Sequence, residues 1–145
     1  MKKLTILLFS ILISLNSYGG FFTDLFNDIF SSSISTSNTR WTEIVEGRGG
    51  AFYLDYDTIK EKGEYVYYWQ LIDFPKPNEI GTHSSKFYRQ GDCGVSRYKT
   101  LSSSFYKQPM GEGSGRTNDE PDEWENSYPG SIGDHFLDEV CDYVD

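Results

Sequence analysis

The run Tyr65-Val-Tyr-Tyr-Trp-Gln-Leu-Ile-Asp-Phe74 is aromatic or β-branched almost throughout, and Pro75 and Pro77 close it because neither can donate to a β-ladder. A segment of this kind is a strand, and a strand needs neighbours. Side chains alternate along it, so Tyr65, Tyr67, Trp69 and Leu71 share one face and Val66, Tyr68, Gln70 and Ile72 the other. The first face is the fully apolar one.

The flanking sequence keeps the same period of two. Trp41 to Glu46 and Ala51 to Tyr56 read as strands joined by Gly47-Arg-Gly-Gly50, whose glycines suit a tight hairpin, and a second turn is expected from Asp57 to Glu64. Past a loop through Asn78-Glu-Ile-Gly81, further strands are expected at Ser84 to Gln90 and Cys93 to Phe105, with Gly91-Asp92 as the turn between them. Residues 108–130 hold Gly111, Gly113, Gly115 and Gly130 and the acids Asp119, Glu120, Asp122, Glu123 and Glu125, and read as loop. Beyond Pro129-Gly130 the period becomes helical: Ser131 can cap the helix, Asp134 lies in its first turn, and Ile132, Phe136, Leu137, Val140, Cys141 and Val144 form one stripe. The fold class is therefore α+β, an antiparallel sheet of five to six strands with a C-terminal helix on one face. Of the 145 residues, 40–145 carry 10 Tyr, 5 Phe and 3 Trp to fill a core, which suffices for one compact domain.

The N-terminus is of a different character. Met1, Lys2 and Lys3 precede an apolar run from Leu4 to Leu15, and small residues follow at Ser17, Gly19 and Gly20. This is the pattern of a secretory signal peptide, assigned to residues 1–19, and the run of about 12 residues is shorter than the roughly 20 that span a bilayer. Export would remove Lys2 and Lys3 and no acid, taking the formal net charge from −9 to −11. So acidic a chain is a poor partner for nucleic acid, whose affinity comes from clustered Lys and Arg. Residues 20–39 comprise a short amphipathic segment, Phe21 to Phe30, and a Ser-rich linker. The segment's apolar residues line one helical face, suited either to membrane or partner contact or to a frayed extension. No cysteine follows the apolar run, so no lipid anchor is expected.

Cys93 and Cys141 are the only cysteines, and an oxidising compartment favours their pairing. The bridge would staple the terminal helix to the sheet and stabilise the domain by roughly 4 kcal/mol in the chain-entropy model. Their spacing matches no zinc or redox motif.

Taken in order, Trp41-Thr-Glu-Ile, Tyr53-Leu-Asp55, Thr58-Ile59, Val66-Tyr-Tyr-Trp69-Gln-Leu71-Ile-Asp73, Ser84-Ser-Lys86, Asp92-Cys93, Met110-Gly-Glu-Gly113, Trp124, Pro129-Gly-Ser131 and Val140-Cys141 resemble the surface-adhesin E domain family. The resemblance covers about residues 40–144. It implies an antiparallel sheet with a disulfide-held C-terminal helix, and structural roles for Cys93 and Cys141. It also implies a protein partner, extracellular matrix or serum proteins such as vitronectin and laminin being those of the family's founding member.

Catalytic signatures are sparse. His83 and His135 are the only histidines; His83 adjoins Ser84 and Ser85, but neighbours on a strand point to opposite faces, so a dyad is not expected, and His135 falls on the polar side of the helix. Asp55 and Asp57 begin like a calcium loop, yet Ile59 and Lys60 stand where that loop needs an oxygen ligand and a glycine. The acids at 119–125 read as a hydrated segment, and Gly111-Glu-Gly113-Ser-Gly115 lacks the spacing of a dinucleotide fingerprint. No cofactor and no metal are expected. Tyr56, Tyr68 and Tyr98 are the candidate binding face, since tyrosine is enriched at interface hot spots; the same residues could instead shield the sheet's second side. The functional expectation is an exported, non-enzymatic binding protein, periplasmic or at the cell surface, that engages a protein or other macromolecule through its sheet. The alternative is a periplasmic envelope-maintenance or inhibitor-like protein, with an unrecognised hydrolase behind it.

Overall fold

A computed structural model describes residues 40–145, so the expected signal peptide at 1–19 and the expected amphipathic segment and linker at 20–39 lie outside the described residues. Five long strands follow one another in chain order and in space: β1 (Thr42–Gly47), β2 (Gly50–Lys62), β3 (Tyr65–Asp73), β4 (Ser84–Asp92) and β5 (Arg97–Tyr106). Every neighbouring pair is antiparallel. Two short strands, β6 (Gly115–Asn118) and β7 (Glu125–Asn126), both pair with β5 and complete a seven-stranded sheet. Among the described residues one α-helix, α1 (Ile132–Val144), closes the chain.

Several boundaries differ from the sequence expectation. β2 does not stop at Tyr56 but runs on to Lys62, with a register shift between Asp55 and Lys60 in place of the expected turn. Thr58 keeps the irregular stretch paired: its hydroxyl donates to the Asp55 carbonyl at 2.8 Å and accepts from the Trp69 N–H at 3.4 Å. Polar side-chain bonding of this sort substitutes for the missing ladder bonds of a bulge. The β4–β5 turn spans residues 93–96 and not Gly91-Asp92, because Asp92 accepts two bonds from Arg97, at 3.1 and 3.0 Å, and closes the ladder one step later. Cys93 accordingly lies in an exposed turn, not at the start of a strand. The expected loop at 108–130 contains β6 and β7 and a single 3-10 turn at Pro109–Gly111, since the exposed edge of β5 offers unpaired backbone groups that these residues satisfy.

The helix begins as expected. Ser131 caps it, its hydroxyl accepting from the Asp134 N–H at 3.1 Å. The Asp134 carboxylate accepts from the Ser127 hydroxyl and the Gly130 N–H, both at 2.8 Å. These bonds hold its carboxyl below the usual aspartate value, the Ser127 bond being the larger cause. Phe136, Leu137 and Val140 are buried against Phe52, Leu54, Val66 and Tyr68, which makes the core; Ile132 sits at the exposed start of the stripe.

The helix therefore covers the Val66 and Tyr68 side of β3, opposite the fully apolar side. Close approach decides this. At Gly91, which pairs with Val66, an added β-carbon would lie 2.7 Å from Leu137 Cδ1, so the glycine opens the hollow that Leu137 fills. Tyr65, Tyr67 and Trp69 stay half-buried on the other side, where amphipathic rings can keep a polar edge in water. Cys93 and Cys141 are bonded, with Cα atoms 5.9 Å apart across a separation of 48 residues, and fasten the last turns of α1 to the β4–β5 turn.

Candidate binding face

The three tyrosines singled out by composition all lie on the helix side. Tyr68 is 1 % exposed and Tyr98 9 %, so neither presents a surface. Burial pushes the Tyr68 hydroxyl well above the usual tyrosine range, and burial together with Glu125 raises that of Tyr98. Tyr56 is half-buried and donates to Glu139 on α1, with the Tyr143 ring 5.4 Å away. They shield the sheet's second side, the other role open to them, because large rings at the helix-facing positions are the filler that closes a one-helix layer.

The side of the sheet away from α1 is differently furnished. Directly paired residues on adjacent strands point the same way, so the register places Lys60, Tyr67, Gln90 and Lys99 in one row across β2 to β5. Lys62 pairs with Tyr65, and Arg97 with Asp92, in the row beside it. Rings fill the space between these cations. Trp69 stacks on Tyr88 at 5.1 Å between centroids, Tyr67 lies 6.2 Å from Tyr88, and Tyr65 lies 5.6 Å from Trp124. Arg97 and Lys99 sit over the Trp124 ring at 4.5 and 4.9 Å, within cation–π range.

Toward the start of β4 the face continues with Lys86, whose ammonium lies 5.7 Å from the Trp41 ring and 4.8 Å from that of Tyr106 and donates to the Gly111 carbonyl at 3.1 Å. Burial, and then the charge of Arg40, pushes the Lys86 ammonium below the usual lysine value. Arg40 in turn pairs with Asp55, a carboxylate with no solvent exposure. Leu71, opposite Lys86 in the register, is fully buried on this face. Rows spaced by two residues lie about 7 Å apart, and β2 and β5 are three strand spacings apart, about 14 Å, so the cations frame a flat aromatic field. Within it Asp92 is tied to Arg97 and Asp55 to Arg40, while Lys60, Lys62, Lys86 and Lys99 have no salt-bridge partner among the described residues.

Sequence reasoning missed this field. A signal was present, in that Lys60 and Lys62, Tyr65 and Tyr67, and Arg97 and Lys99 each recur at the spacing of one strand face. Trp124, alone in an acidic stretch, carries no such signal.

Of the residues considered for hydrolysis, Ser84 is engaged elsewhere. The Ser84 hydroxyl donates to the Gln108 carbonyl at 2.6 Å and accepts from the Gly111 N–H at 2.8 Å, and His135 is exposed on α1. His83 Nδ1 is buried without a hydrogen-bond partner. Among the described residues no three His, Cys, Asp or Glu side chains converge as a metal-ligand set.

These features define a class: an antiparallel sheet with one disulfide-anchored helix on one face and an aromatic, cation-framed surface on the other. The family model for surface-adhesin protein E matches residues 41–142, and the chain belongs to that family. Haemophilus influenzae protein E in its crystal form II superposes with a TM-score of 0.59 at 14% identity, covering 72% of this chain and 89% of that one. A second crystal structure, of protein E from non-typeable Haemophilus influenzae, gives a TM-score of 0.52 at 14% identity, covering 72% of this chain and 74% of that one. At this identity the likeness is one of fold. No functionally curated protein sequence matches the chain. Among the described residues no helix is long and apolar enough to cross a membrane.

Proposed function

We propose that this chain is an exported, non-enzymatic binding protein that docks a protein partner on the helix-free face of its sheet. One observation carries the reading: Tyr65 with Trp124, and Tyr67 and Trp69 with Tyr88, form two ring clusters on that face, framed by Lys60, Lys62, Arg97 and Lys99, in a chain whose formal charge is −9. Half-buried aromatic groups beside Arg and Lys are the anchor chemistry of protein interfaces. Rings already stacked on one another lose little freedom on binding, which favours a preformed surface. Membership of a surface-adhesin family supports display to an outside partner, and the Cys93–Cys141 bridge supports an oxidising compartment.

The test is binding of the oxidised domain to immobilised laminin and vitronectin. Wild type is expected to bind at least one of them, and Trp124→Ala or a Lys62→Glu, Lys99→Glu pair to weaken it about tenfold or more, as loss of a central anchor does. Binding that ignores both variants removes this face from the reading.

A further inference from the structure

A second surface lies apart from the ring field. Phe105 pairs with Ser85 and Arg116, on the face of the sheet that carries α1, and beside it opens a cleft of about 410 Å³ between the loop at residues 78–82 and β6. Its volume falls in the lower part of the range for ligand sites, roughly 300–1,000 Å³. Ile80 and Phe105 supply apolar wall, and Lys107 and Arg116 supply charge. No acidic side chain lines it, although acids outnumber bases 22 to 13 in the chain.

Ile80 is 75 % exposed and Phe105 39 %, yet the loop that displays Ile80 is pinned from every side. Asn78 Oδ1 accepts from the N–H groups of Ile80 at 3.2 Å and Thr82 at 2.9 Å, and the Asn78 carbonyl accepts from Gly81 N–H at 2.8 Å. The Asn78 N–H donates to the Thr82 carbonyl at 2.9 Å, and Lys107 Nζ donates to the Ile80 carbonyl at 2.9 Å. These bonds fix the backbone that presents Ile80 in advance of any contact, which lowers the ordering cost of docking against it. In the hairpin register Arg116 stands directly opposite Phe105, about 5 Å away at the β-carbons, and Lys107 N–H bonds the Ser114 carbonyl one diagonal step further. Both cations can therefore reach one carboxylate placed next to the apolar wall.

We propose that this cleft binds the C-terminus of a partner polypeptide that ends in a large apolar residue, its side chain between Ile80 and Phe105 and its terminal carboxylate between Lys107 and Arg116. A C-terminal residue is the peptide unit in which an apolar side chain and a carboxylate leave the same Cα, which suits a cleft whose apolar wall adjoins two cations and no acid.

The test uses the oxidised protein and the pentapeptide Ser-Ser-Ser-Ser-Phe, carrying fluorescein on its N-terminus and a free carboxylate, followed by fluorescence anisotropy and by amide chemical shifts. Saturable binding is expected, with shifts concentrated at residues 80–82, 105–107 and 114–118. Amidation of the peptide, Ile80→Asp and Arg116→Glu should each weaken it about tenfold or more. Lys99→Glu, on the opposite face, should leave it unchanged, so this site and the ring field can fail separately. No saturable binding, equal binding of the amide, displacement by acetate at equal concentration, or indifference to both cleft variants overturns the proposal. Both variants replace exposed side chains, and unchanged disulfide content and thermal midpoint confirm their folding.

Discussion

Gly133 on α1 lies against Tyr98 on β5 so closely that a β-carbon added to it would stand 2.4 Å from the Tyr98 Cε1 atom and 2.5 Å from its hydroxyl oxygen. In a free helix, replacing glycine with alanine gains up to about 1 kcal/mol. Here the clash opposes that gain, because Tyr98 is itself buried and has no room to retreat. Gly133→Ala is expected to destabilise the domain by about 1–3 kcal/mol, the usual cost of overpacking, as measured by urea denaturation. An increase in stability would mean that the helix can ride outward from the sheet.

The disulfide joins the end of the chain to a turn in its middle. Reducing it, or replacing Cys93 and Cys141 together with alanine, removes a constraint across 48 residues and should cost about 4 kcal/mol. Because α1 supplies Phe136, Leu137 and Val140 to the core, near-ultraviolet dichroism should fall along with the denaturation midpoint. Retention of both by the reduced protein would show that the helix docks without its tether.

Burial, reinforced by the hydrogen bond to Glu139, pushes the Tyr56 hydroxyl up to about 12. A group whose folded pKa is raised contributes stability that is complete below its unfolded value, near 10, and is lost as pH climbs through the folded one. Alkaline unfolding is therefore expected to steepen between pH 10 and 12 in wild type and to flatten in Tyr56→Phe. Glu139→Gln should lower the Tyr56 midpoint in an ultraviolet titration; a midpoint that stays put would sever the link between β2 and α1.

Asp55 is fully buried, and one of its oxygens pairs with Arg40 while Oδ1 has no partner. Removing the cation strands a buried carboxylate, but Arg40 is 57% exposed and water can partly replace it. Arg40→Ala should thus cost about 1–3 kcal/mol, less than severing a fully buried pair, and the loss should shrink when Asp55→Asn is made as well. Additive losses in the double mutant, measured by the same denaturation, would show that the two residues act independently.

The five long strands, the capped helix and the bridge could be read along the chain because each depends on local chemistry: alternation in Tyr65 to Phe74, an oxygen at Ser131, two thiols in an exported chain. Strand ends were less legible. The continuation of β2 past Asp55 rests on the Thr58 hydroxyl bonding across to Trp69, and β6 and β7 exist because β5 offers them an edge. Neither pairing leaves a periodic mark in the residues concerned. The acidic composition also concealed the cations, which gather on one face only when β2, β3, β4 and β5 lie side by side.

From its sequence alone the chain is an antiparallel sheet closed by one amphipathic helix, since hydrophobic period, capping and cysteine content are properties of neighbours in the chain. Which side of the sheet that helix covers was left to the tertiary structure. Gly91 and Val66, on different strands, make the hollow for Leu137, and the contest between two apolar faces is settled by shape complementarity across strands, which no single strand encodes. That choice buries Tyr68 and Tyr98 and leaves Tyr65, Tyr67, Trp69 and Trp124 facing outward.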